Sequence, residues 1–158
     1  MTFTPDSLRI AMVETYSKPE PEPKLTHKIR QSSRPVERPH RIAMLYLLNR
    51  SDDAVAVEVS TGGYVSTDDA LQILSGRTRT VSLAPRSAFL LETADEKSGD
   101  FDFKIWYSIT VPLADGSRVC GTFGIPLYGS SHLETREVDA VLGVEARILR
   151  PKAWSPVV

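Results

Sequence analysis

Hydrophobic and polar positions alternate most plainly over residues 101–111, FDFKIWYSITV, where Phe101, Phe103, Ile105, Tyr107, Ile109 and Val111 occupy every second position. A helix would scatter these side chains around its circumference. A strand gathers them on one side and leaves Asp102, Lys104, Trp106, Ser108 and Thr110 on the other. Asp115-Gly116 follows as a turn signal, and residues 118–125 return as the second arm of a hairpin.

The same reading extends along the chain. Residues 7–16 fit a short strand or a binding segment, whereas residues 42–48 form an almost continuous apolar run, the pattern of a strand covered on both faces. Asn49 to Asp53 reads as a turn; Val55, Val57 and Val59 then alternate until Thr61-Gly62-Gly63 interrupts them. Ser66-Thr67-Asp68-Asp69 ahead of ALQIL fits either one capped helical turn or a short strand. Residues 78–83 and 87–92 are further strands, divided at Ala84-Pro85. Residues 138–149 satisfy both a strand period and a helical stripe; Gly143 and the β-branched residues favour one strand, ended by Pro151. Seven or eight short strands without long helices predict an all-β chain. The expected architecture is a mostly antiparallel β-sandwich with at most one or two short helices, and a small β-barrel is the next choice.

Length and composition leave room for one domain: 158 residues, 41% hydrophobic and 25% charged. Cys120 has no second cysteine to pair with, and the N-terminus lacks the basic start and apolar core of a signal peptide. No apolar run reaches the ~20 residues of a membrane span. The expectation is a soluble, intracellular protein without a transmembrane segment.

Charge is distributed unevenly. The net charge is −1, yet Lys24, Lys28, Arg30, Arg34, Arg38 and Arg41 face a single acid, Glu37, in their stretch. Alternating prolines in residues 18–24 predict an extended spacer, so residues 1–40 are expected as an N-terminal segment whose basic arm, residues 24–41, stays flexible. Residues 41–150 form the expected sandwich domain and residues 151–158 a tail.

Most candidate chemistry has a structural explanation. Cys120 lies in an expected strand with no local nucleophile signature. His27, His40 and His132 are too dispersed for structural zinc, and Asp95, Glu96, Asp100 and Asp102 lack the ligand spacing of a calcium loop. Gly76 with Arg77 and Arg79 suits a phosphate, though two arginines on an exposed strand face suffice as an account. No catalytic residue, metal or cofactor is therefore assigned.

The function expected is a non-catalytic binding or assembly module that self-associates or docks a protein partner. The six cations from Lys24 to Arg41 are the candidate contacts to a polyanion, either nucleic acid or an anionic membrane surface. A sandwich bearing a basic arm is an arrangement found in structural coat and matrix proteins, a likeness of architecture only. The first alternative is a membrane- or glycan-binding sandwich using Trp106 and Tyr128 as aromatic contacts. The second is a small enzyme on a β-barrel.

Overall fold

The computed structural model describes residues 2–18, 39–67, 70–74, 77–98, 103–128 and 133–158. Among them the strands are β1 (Leu8–Tyr16), β2 (Arg41–Asn49), β3 (Val55–Thr67), β4 (Ala70–Leu74), β5 (Thr78–Leu83), β6 (Ser87–Asp95), β7 (Phe103–Pro112), β8 (Arg118–Ile125), β9 (Glu134–Val138), β10 (Glu145–Leu149) and β11 (Trp154–Pro156). Two 3-10 turns, Pro5–Ser7 and Glu96–Ser98, are the helical elements among these residues.

The strands form two antiparallel sheets packed as a sandwich, and neither closes into a barrel. Sheet 1 runs β6-β2-β1-β10-β9. Sheet 2 runs β11-β8-β7-β3-β4, with β5 also paired to β3. The alternation that predicts β7 holds: Tyr107, Ile109 and Val111 are buried against β3 and β8, while Lys104, Trp106, Ser108 and Thr110 face outward. Its hairpin partner returns through a turn closed by Leu113 N–H donating to Ser117 O at 2.8 Å, with Gly116 at φ 87°. Leu8, Ile10 and Met12 of β1 and Leu45 and Leu47 of β2 meet Val57, Val59, Ile109 and Phe123 of sheet 2 in one core. Each such side chain removed from water contributes roughly 1.5–3 kcal/mol.

Several expectations change. The domain boundary near residue 41 is corrected, because β1 pairs with β2 from Leu8–Asn49 to Tyr16–Arg41 and with β10 on its other side. The sandwich thus begins at Leu8, and the basic stretch expected as a free arm connects two neighbouring strands. Its ends meet: Ser17 N–H donates to His40 O at 2.9 Å, and His40 N–H donates to Ser17 Oγ at 3.1 Å. Residues 19–38 themselves lie outside the described residues.

The single strand expected over 138–149 is instead the turn and second arm of a hairpin. Gly143 adopts φ 71°, and buried Asp139 accepts the Val141 and Leu142 N–H groups at 2.9 and 3.0 Å, which closes the turn and separates β9 from β10. Ala70–Leu74 takes the strand alternative and pairs with Gly63–Thr67. The expected tail supplies β11, where Trp154 lies opposite Gly121 and edge-on to Phe123 at 6.0 Å.

Two irregularities interrupt the sheets. β3 is paired along one edge by β5 as far as Ser60 and by β4 from Gly63, so Thr61 and Gly62 mark a break between the two. In β6, the register against β2 slips so that Leu45 faces Glu92 while Tyr46 faces Leu90, leaving Leu91 as a bulge.

Candidate functional site: an apolar sheet face and a polar notch

The outward face of a two-layer sandwich is ordinarily polar, since water covers it. Sheet 2 follows that rule with Glu58, Ser60, Thr80, Ser82, Ser108, Thr110 and Thr122. Sheet 1 breaks it. Ala11, Leu48, Ala146 and Ile148 form a second apolar cluster, separate from the core, with Val13, Tyr46 and Leu142 packed against it. Register extends the cluster in rows: Ile148 beside Ala11, Ala11 beside Tyr46, Tyr46 beside Leu90, and Val13 beside Met44. Leu90 is 46% exposed at the rim. The Tyr46 hydroxyl has a thioether as its partner, Met44 Sδ at 3.7 Å, a weak acceptor. Ala11, Leu48, Ala146 and Ile148 are no more than 4% exposed, covered in part by Leu142 of the β9–β10 turn, so the accessible apolar part of the face is Val13, Met44, Tyr46 and Leu90.

The inner face of sheet 1 turns from apolar to charged beyond Met12. Arg147, only 5% exposed, donates Nε and Nη2 to the two carboxylate oxygens of Glu134 at 2.8 and 2.6 Å and Nη1 to Glu14 at 2.7 Å. Glu14 accepts Arg41 Nη2 on its other oxygen at 2.7 Å. Four strands are linked by this ladder. Burial pushes the Glu14 carboxyl up, but the hydrogen bonds from Arg147 and Arg41 prevail and hold it below its ordinary value.

At the break between β4 and β5 an open notch of about 420 Å³ enters the sandwich, lined by Thr61, Arg77, Thr78, Arg79, Leu91, Glu92 and Tyr107. The bulge at Leu91 turns Glu92 to the same side as Leu45, into the interior, where it accepts the Tyr107 hydroxyl at 2.5 Å. Tyr107 is 1% exposed, and burial together with the adjacent carboxylate drives its pKa far above the usual phenol range. Arg79 donates Nη2 to Leu91 O at 3.1 Å and lies over the Phe89 ring at 5.4 Å.

Of the residues singled out in the sequence, Lys24, Lys28, Arg30, Arg34 and Arg38 lie outside the described residues, and Arg41 is ion-paired within the ladder. Trp106 lies half-buried on the outer face of sheet 2 with its indole over Gly62, where an added Cβ would fall 2.4 Å from Nε1. Tyr128 is 59% exposed beyond β8. Cys120 is half-buried on the outer face of sheet 2. Asn49 of the glycosylation-like triplet is buried, with its amide donating to Asp53 O and Ala84 O. Sequence reasoning misses the pairing of Glu92 with Tyr107. Its one trace is the Leu90-Leu91 doublet, which breaks the alternation of β6 where the bulge falls.

The architecture defines an all-β, antiparallel two-sheet protein. No protein-family model matches the chain, and comparisons with curated proteins and with solved structures find no match. No helix among the described residues is long and apolar enough to cross a membrane.

Proposed function

We propose that this protein is a non-catalytic assembly module that pairs with a second copy of itself through the outer face of sheet 1. The observation that carries the reading is the apolar character of that face, Val13, Met44, Tyr46 and Leu90 included, beside the polar outer face of sheet 2. Contiguous apolar surface of this kind marks association sites on soluble domains.

Its size suits a second copy. Three nine-residue strands and two five-residue strands make the face. At ~4.8 Å between strands and ~3.4 Å per residue the whole face, polar rim included, spans about 600 Å² on each copy, near the lower bound of specific interfaces. A two-fold pairing sets the same patch against itself and leaves no open apolar surface. Leu90→Asp tests this in the full chain, because an exposed rim residue carries little of the fold's stability. Sedimentation velocity is expected to show a dimer that the substitution converts to a folded monomer. A monomeric wild-type protein at about 100 μM, some two orders above a micromolar Kd, would overturn the reading.

The basic segment carries the second part of the proposal, contact with a polyanion. The Ser17–His40 clasp joins the residues that flank this segment, and Lys24, Lys28, Arg30, Arg34 and Arg38 fall between them in the sequence. Replacing these five by Gln is expected to abolish salt-sensitive binding to single-stranded nucleic acid. Retained binding, or binding insensitive to salt, would contradict it. Arg41 is left intact in that variant, since it supports Glu14.

A further inference from the structure

We infer that the notch between β4 and β5 is a binding site for a small organic anion that also carries a hydroxyl or ammonium donor. It lies in the opening between the sheets, away from the outer face proposed for assembly.

Three features support the assignment. The first is an ionisable pair where packing alone would select apolar groups. Glu92 and Tyr107 meet at the edge of a core cluster built from Leu, Ile, Val, Phe, Met and Ala, and burying polar groups there is costly unless they are paired or used. The bulge is the second. It is the local distortion that points Glu92 inward, and bulges commonly re-aim a side chain at functional positions. The third is complementary charge at the mouth. Arg79 is fixed by Leu91 O and the Phe89 ring, whereas the exposed Arg77 guanidinium has no hydrogen-bond or ion-pair partner among the described residues.

These groups sort by role. Arg77 and Arg79 take the anionic end, with the planar fork of a guanidinium suited to carboxylate or phosphate. Glu92 uses Oε2 for Tyr107, and Oε1 accepts no hydrogen bond among the described residues and is not buried. That oxygen takes the ligand's donor. Tyr107 holds the carboxylate in place as a positioning residue, and the Thr61 and Thr78 hydroxyls complete the polar wall. A hollow of about 420 Å³ accommodates a molecule of this kind with water to spare.

The test titrates the full-length protein with glycerol 3-phosphate and, as the carboxylate-and-ammonium counterpart, L-serine, following backbone amide resonances. Saturable shifts confined to Thr61, Arg77, Arg79, Leu91, Glu92 and Tyr107 are expected for at least one probe, with Kd below about 5 mM, an affinity of roughly 3 kcal/mol. Arg77→Gln is expected to weaken that probe at least fivefold. Glu92→Gln, which preserves an acceptor for Tyr107, is expected to weaken it similarly while leaving inorganic phosphate unaffected or tighter. Absence of saturable shifts with both probes at about 20 mM, several times that Kd, would overturn the inference. So would binding that survives Arg77→Gln unchanged.

Discussion

The two outer faces of this sandwich have the same backbone geometry and opposite chemistry. On sheet 2 the outer face carries mostly Thr, Ser and Glu side chains, with Trp106 and Cys120 among them, while Val, Ile, Tyr and Phe fill the core. On sheet 1 the central strands are apolar on both sides: Leu45 and Leu47 enter the core as Met44, Tyr46 and Leu48 face the other way. Pleating forces successive side chains to opposite faces, so an unbroken apolar run in a strand requires two apolar environments. The interior of the sandwich supplies one. The proposed pairing with a second copy would supply the other.

The comparison can be broken first at its root. Deleting residues 1–38 removes β1 from the middle of sheet 1 along with Leu8, Ile10 and Met12. The expected result is loss of a cooperative thermal transition in circular dichroism. A folded fragment would place β1 outside the essential core. Matched substitutions on the two outer faces come next in size. Ile148→Asp, at a position 4% exposed, is expected to cost more than about 3 kcal/mol, whereas Thr122→Asp stays within roughly 0.5 kcal/mol by urea denaturation. Equal costs would dissolve the distinction between the faces.

On the inner side of sheet 1, Arg147→Ala strands Glu134 and Glu14 and is expected to cost about 3 kcal/mol at pH 7. Because the folded-state pKa of Glu14 is depressed, its stabilising contribution is present above the ordinary carboxylate range and fades as pH falls through the depressed value. The difference between wild type and variant should therefore narrow on acidification. A gap constant from pH 7 to pH 3 would contradict the ladder. The smallest effect sharpens the picture of sheet 2, where Gly62→Ala displaces the Trp106 indole. A cost of about 1–2 kcal/mol and a shifted tryptophan emission are expected; unchanged emission would mean the indole does not rest on Gly62.

How far the sequence discloses this molecule obeys the same division. Residues 103–125 are readable because, Trp106 and Cys120 apart, side-chain polarity follows the solvent and core faces. The doubled apolar run at 42–48 is readable too, as a strand covered twice, although nothing in it names the second cover. The membership of β1 in the sheet is obscured by the charged, proline-rich residues that separate it from β2; pairing depends on contacts across that interval rather than on local pattern. The β9–β10 hairpin is hidden for a related reason: Val138, Leu142 and Val144 continue an apparent alternation through a turn that Asp139 and Gly143 close. The notch is least legible, since the inward turn of Glu92 depends on a register slip against β2.

The most direct measurement of the central claim is the concentration dependence of methyl resonances in the full-length protein. Dimerisation through this face predicts that Met44 and Leu90 shift together as concentration rises through the dimerisation constant, while Thr110 and Thr122 of sheet 2 stay fixed. Shifts confined to sheet 2, or none on either face across a hundredfold dilution (about 2.7 kcal/mol of concentration dependence), would contradict it.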